Sequence, residues 1–161
     1  MFSIKFGVRK MAKLQAHHIR VSTFVHATED PEKVLEAMGT FFPEDVPSDD
    51  IEFEILETEG YFGNPIKVIN AEVSRSKSVR KMLEHIKGLL SEEDKRYLLE
   101  NLEEKVDDMG TFFIRFSKQK AYLGEAEVSE GEDVIQVKIK VKAFPMRKES
   151  VVKAIREWLS E

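Results

Sequence analysis

The chain has 161 residues, 42% hydrophobic and 34% charged, with eight Gly and five Pro, a balance that fits one globular domain and excludes collagenous or disordered classes. It contains no cysteine, which removes a disulfide framework, a thiol nucleophile, an iron–sulfur cluster and a Cys-type zinc site. No run approaches the roughly 18 apolar residues that a bilayer crossing needs, and no signal-peptide pattern follows the basic N-terminus, so a cytoplasmic protein without membrane contact is expected.

The net charge of −5 conceals a segregation. Residues 1–13 carry +4, residues 14–64 carry −10, residues 65–90 carry +4, residues 91–110 carry −5 and residues 111–161 carry +2. An acidic total argues against a generic duplex-DNA coater, whose affinity comes from neutralising phosphates, yet it is compatible with a local basic face. Seventeen Lys against three Gln and three Asn lean towards a thermophilic composition.

Residues 1–13 read as a basic, unpatterned tail, with Met11 an equally good start that would make the first ten residues an extension. Residues 14–161 read as a single domain. From Ala16 to Ala27 the chain alternates, placing Ile19, Val21, Thr23 and Val25 on one side and His18, Arg20, Ser22, Phe24 and His26 on the other, a strand with one buried face. Asp30-Pro31 is an N-cap followed by proline at the first helical position, and Val34, Leu35, Met38, Phe41 and Phe42 follow at helical spacing until Pro43. A second strand alternates Ile51, Phe53 and Ile55, read as buried, with Glu52 and Glu54. Gly60–Pro65 is turn chemistry, and Ile66–Val73 is a third strand.

Two helices follow. One starts near Ser76 and buries Val79, Met82, Leu83, Ile86 and Leu90. The other opens on the capping sequence Ser91-Glu92-Glu93-Asp94, buries Leu98, Leu102, Val106 and Met109, and stops at Gly110. Strands are then predicted at about 111–118, 120–128 and 133–143, and a last helix over Arg147–Leu159 turns Val151, Val152, Ile155 and Leu159 inward. The order β-α-β-β-α-α-β-β-β-α, with short turns between most strands, predicts an α+β two-layer sandwich whose largely antiparallel sheet carries helices on one face.

Catalytic signals are weak. His17 and His18, as neighbours in a strand, point to opposite faces and cannot share a metal, and His26 lies roughly 26 Å along the strand from His18. The chain has no HExxH, P-loop or GxSxG motif. Asp107-Asp108 sits at a helix C-terminus, where acids oppose the helix dipole, and its placement has no explanation in the sequence beyond an ion pair to a neighbouring strand. No catalytic residue, metal site or cofactor is expected.

Binding signals are stronger. Opposite the buried faces lie His18, Arg20, Phe24 and His26 on the first strand, Phe113 and Arg115 after Gly110, and Lys138, Lys140 and Lys142 near the end. Rings beside cations on an open sheet are what single-stranded RNA needs, since bases stack on the rings and phosphates follow the cations. The same lysines are equally the solvent face of an amphipathic strand, with Glu52 and Glu54 as available partners. Phe24 and Phe113 equally suit a dimer interface.

Four segments carry a resemblance: His17-His18-Ile19-Arg20, Glu59-Gly60-Tyr61-Phe62-Gly63-Asn64-Pro65-Ile66, Ile114-Arg115-Phe116-Ser117-Lys118-Gln119-Lys120-Ala121-Tyr122-Leu123-Gly124-Glu125, and Phe144-Pro145. Over about residues 15–160 the chain resembles an archaeal RNA-binding family labelled an exosome-associated subunit, with a fold related to the ribosomal protein L-five type. The resemblance implies an antiparallel sheet on helices, an RNA-related role tied to RNA processing or degradation, no catalytic activity and no cofactor. Read physically, Gly60 and Gly63 present Tyr61 and Asn64 at a loop tip, with a purely structural turn as the competing account. Arg115, Lys118, Gln119, Lys120 and Tyr122 cluster at a hairpin, suited to phosphate or base contacts, with a turn held by Gln119 hydrogen bonds as the competing account. The expected RNA-binding residues are therefore Arg20, Phe24, Tyr61, Asn64, Arg115, Lys118, Gln119, Lys120, Tyr122 and Lys140. The expected partners are RNA and an RNA-processing complex. A protein–protein adaptor or homodimer using the open sheet face is the rival reading, and a small-molecule enzyme using the Gly60–Pro65 loop a weaker third.

Overall fold

A computed structural model of the chain describes residues 13–59 and 63–161. Five strands, β1 (Gln15–Val25), β2 (Ile51–Glu59), β3 (Pro65–Val73), β4 (Thr111–Ser117) and β5 (Val134–Lys142), form one sheet in the order β2-β3-β1-β5-β4, with every neighbouring pair antiparallel. Among the described residues six α-helices complete the fold: α1 (Pro31–Gly39), α2 (Ser76–Leu89), α3 (Glu92–Glu100), α4 (Leu102–Lys105), α5 (Lys118–Ala121) and α6 (Lys148–Ser160). The α+β class, the antiparallel sheet and the two layers agree with the sequence pattern.

Alternation does its work on three strands. Ile19, Val21 and Val25 of β1, Phe112, Ile114 and Phe116 of β4 and Ile135, Val137, Ile139 and Val141 of β5 all face the helical layer and are buried. Helices α1, α2 and α6 close over them with Val34, Met38, Val79, Met82, Ile86, Val151 and Ile155, leaving the other face of the sheet open. Phe41 packs its ring 4.7 Å from that of Phe116, and Trp158, absent from the expected core, is 2% exposed. Burying side chains of this size contributes roughly 1.5–3 kcal/mol each.

The caps read from the sequence form as expected. The Asp30 carboxylate accepts from the Glu32 N–H at 3.0 Å, and the Ser91 hydroxyl accepts from the Asp94 N–H at 3.0 Å, each satisfying an amide that the first helical turn leaves free.

Four expectations need correcting. The helix expected from Ser91 to Gly110 breaks at Asn101 and ends at Lys105, so Met109 is exposed rather than buried. The Asp107 carboxylate explains why: it accepts from the backbone N–H groups of Met109 and Thr111, both at 2.9 Å, folding a tight turn into β4. Gly110 serves that turn, with φ +82° in the left-handed region. The strand expected at 120–128 is absent. Ser117 instead caps a helical turn by accepting from the Lys120 N–H at 3.2 Å, and the chain returns along β4 with a single bridge, Val128 to Phe116.

The second strand also departs from expectation. Ile51 is only half-buried, and Phe53 and Ile55 are each 57% exposed, because β2 is the outer strand and its one extensive packing partner is β3. Finally, the pairing of β1 with β5 shifts between Ala16 and His18, so His17 is the extra residue of a bulge and the strict opposition of His17 and His18 is lost.

Candidate nucleic-acid interface

The uncovered face is a lattice whose rows are set by strand register. One row runs Glu52, Glu72, Arg20, Lys138, Phe113 across β2, β3, β1, β5 and β4; the next runs Glu54, Asn70, Ser22, Gln136, Arg115. His18 stands opposite Lys140, which in turn faces Thr111, and Gln15 stands opposite Lys142. Acids therefore collect on β2 and β3, and cations on β1, β5 and β4.

This arrangement removes the partners that the sequence offered the lysines. Three strand spacings separate β5 from β2, roughly 14 Å, so Glu52 and Glu54 face β3 and do not neutralise Lys138, Lys140 or Lys142. Among the described residues none of those three lysines forms an ion pair. Arg20 sits directly across from Lys138, a juxtaposition that destabilises a sheet until an anion relieves it. Arg20 is partly satisfied by Glu72, its Nε donating to that carboxylate at 3.0 Å. The Lys140 ammonium donates to the Met109 carbonyl. His17 feels the same field: loss of hydration, then Lys142, Lys140 and His18, hold its imidazole below its ordinary pKa.

Aromatic surface is interleaved with these charges. The Phe24 ring is 55% exposed beside Val68, and the Lys138 ammonium lies 5.9 Å from the centre of the Phe113 ring, within cation–π reach. Between Phe24, Arg115 and Lys138 the face sinks into a depression of about 260 Å³ floored by Ser22, Asn70 and Gln136.

The cluster expected at a hairpin is present, but it is a helical turn with Lys118 turned inward. Lys118 is 1% exposed. Its ammonium donates to the Phe24 carbonyl at 2.7 Å and to Glu29 at 3.1 and 3.3 Å, and lies 3.3 Å from Asp133. The Tyr122 hydroxyl donates to Glu29 at 3.0 Å, and burial together with that carboxylate pushes its pKa up to about 12. Burial alone would raise the Glu29 pKa, but the His26 N–H, Lys118 and Tyr122 outweigh it and hold the group below the usual carboxylate range. Asp133 is likewise lowered, its own desolvation being overcome by Gln119, which donates to it at 2.9 Å, and by Lys118. Lys118, Gln119 and Tyr122 thus hold the end of the face together. Lys120 remains half-exposed, 3.8 Å from Glu127.

Of the remaining expected residues, Arg20, Phe24, Arg115 and Lys140 share the open face. Asn64 is exposed where β3 begins, beside Gly63 at φ +76°, whereas Tyr61 lies outside the described residues. Asn70 and Gln136 escaped the sequence reading, which placed Ser22 outward without giving it a role. Their one signal is that polar, uncharged side chains occupy outward positions between charged ones. A larger hollow of about 490 Å³ on the helical layer gathers Lys77, Arg80 and Lys81 near Trp158, but Trp158 is buried and offers no ring to stack on, and Lys81 is paired with Asp45 at 3.4 Å.

A cation-lined, ring-bearing sheet face is the setting in which the comparisons with known proteins fall. Residues 18–141 match the model of a family described as RNA binding. The chain belongs to this RNA-binding family. Within it, the chain is 69% identical to the RNA-binding protein PAB1135 of Pyrococcus abyssi, over 91% of this chain and 96% of that protein. It is 46% identical to the uncharacterized protein MJ0213 of Methanocaldococcus jannaschii, over 85% of this chain and 93% of that one. Among solved structures it resembles protein AF2318 from Archaeglobus fulgidus, of the DUF54 family, with 36% identity, a TM-score of 0.78 and coverage of 90% of this chain and 99% of that chain. The family match begins at His18 and ends at Val141, taking in both full rows of the lattice described above.

Proposed function

We propose that the open face of the sheet binds single-stranded RNA directly, without catalysis. The observation that supports it best is the row Arg20, Lys138, Phe113: two like charges face each other across paired strands beside an aromatic ring, an arrangement that a polyanion with stackable bases would stabilise. Phosphates follow the β1, β5 and β4 side, because Glu52, Glu54 and Glu72 repel them from β3 and β2. Membership of the RNA-binding family and 69% identity to a protein named for RNA binding support the same reading.

The test is a titration of labelled single-stranded RNA at several salt concentrations. Binding whose log–log slope falls by about 0.7 for each phosphate contacted is the expected result; absence of binding at low salt would overturn the reading.

The resemblance to an exosome-associated family supports a place for this RNA in processing or degradation. The outer strand supplies a surface for a protein partner in such an assembly: β2 exposes Phe53, Ile55 and Leu56 among Glu52, Glu54 and Glu57, and its outer edge lacks a neighbouring strand among the described residues. An extended basic segment fits that acidic edge better than a second copy, which would set glutamate against glutamate.

A further inference from the structure

The second row of the open face is polarised. The Glu54 side chain takes a hydrogen bond from the Asn70 amide Nδ2 at 3.2 Å. That fixes the Asn70 amide, so its Oδ1 must face the next strand, where it accepts from the Ser22 hydroxyl at 2.6 Å. With its proton given to Asn70, Ser22 has only lone pairs left for the depression beside it. At the other end of the row Arg115 Nη2 donates to the Gly131 carbonyl at 2.6 Å, while its Nε–H is buried without a hydrogen-bond partner among the described residues. Between these ends lies Gln136, paired with Ser22 on one side and Arg115 on the other, and its amide makes no side-chain hydrogen bond among the described residues.

From this row we infer that the depression on the open face is a pocket for one unstacked nucleobase, read along its hydrogen-bonding edge. The inference rests on the RNA-binding reading above and narrows it to a site. Ser22 is a fixed acceptor and demands a donor from the base. Gln136 supplies an amide that turns to match whichever donor–acceptor pair lies beside it. Phe24 and Val68 form an apolar wall for the base plane, and Lys138 stands at the rim for the adjoining phosphate. The acidic Glu132 at the same rim keeps a second phosphate out, which suits one nucleotide held edge-on. A base engaged in a duplex has its pairing edge occupied and does not enter.

The distinguishing experiment compares a uridine hexamer with the same hexamer methylated at N3 of every base. The two have equal charge and near-equal stacking surface, but only the first has an N3–H donor for Ser22. The methylated hexamer is expected to bind about tenfold or more weakly, at an unchanged salt slope, and Ser22→Ala is expected to bring the two affinities together while its circular dichroism and melting profile match the parent. Equal affinity of both hexamers for the parent protein, with a normal salt slope, would overturn the pocket and leave the RNA-binding reading standing. No binding of either hexamer at low salt would overturn both.

Discussion

The Lys118 ammonium donates to the backbone carbonyl of Phe24 at 2.7 Å, so the exposed ring that ends the open face hangs from backbone fixed by a buried charge. The same ammonium meets Glu29, and Glu29 accepts from the His26 N–H and the Tyr122 hydroxyl. The end of β1, the turn before α1 and the start of α5 are thereby one hydrogen-bonded unit. Lys118→Met is expected to destabilise the fold by about 3 kcal/mol, the low end for removing one member of a buried pair, because Glu29 and Asp133 retain some solvent. An unchanged urea midpoint would remove Lys118 from this structural role.

The pH dependence follows from the same unit. Glu29 and Asp133 titrate below their ordinary values of 4.5 and 3.8 in the folded chain, so the stability they contribute is present above those values and is lost as pH falls through the lower folded values. Tyr122 works in the other direction. Its pKa rises from 10.0 to about 12, so its contribution is complete below pH 10.0 and disappears as pH climbs through about 12. Glu29→Gln should flatten the acid limb of a stability–pH profile and Tyr122→Phe the alkaline limb. If both variants keep the parent's limbs, the network does not set the profile.

Gly110 tests the turn that Asp107 organises. At φ +82° an added side chain is strained, and its Cβ would run into Met146 Cε and stand 3.3 Å from Val151 Cγ2. The methionine end can swing aside, so the backbone term dominates. Gly110→Ala should lower stability by about 1–2 kcal/mol, visible as a lower melting temperature.

The outer strand makes the opposite prediction. Phe53 and Ile55 are more than half exposed, so Phe53→Ser and Ile55→Ser should change stability by no more than about 0.5 kcal/mol. A loss of several kcal/mol in calorimetry would mean that something covers this strand in solution.

For RNA, charge and ring should separate cleanly. Lys138→Ala should reduce the salt slope by about 0.7, while Phe24→Ala should weaken binding by about 1–3 kcal/mol at constant slope. The reverse pattern in salt-dependent anisotropy would contradict the assignment of phosphates to β5 and bases to β1.

By itself the sequence determined what short-range physics controls. The alternation in β1, β4 and β5 selects the buried face, Asp30 and Ser91 start their helices, and the outward set of Arg20, Phe24, Phe113, Arg115 and the three lysines follows from period two alone. Those rules act between residues a few positions apart. Tertiary structure decided whatever depends on which strand lies beside which. Strand order put Glu52 and Glu54 three strands from the lysines they were available to pair with. It also left β2 outermost, so that Phe53 and Ile55 alternate like core residues with no layer to cover them. Lys118 reads as a surface lysine until Glu29, 89 positions away in the chain, is folded against it, since burial of a charge is decided by the partner that compensates it. Ser22, Asn70 and Gln136 are unremarkable apart; only register aligns them into one polarised row.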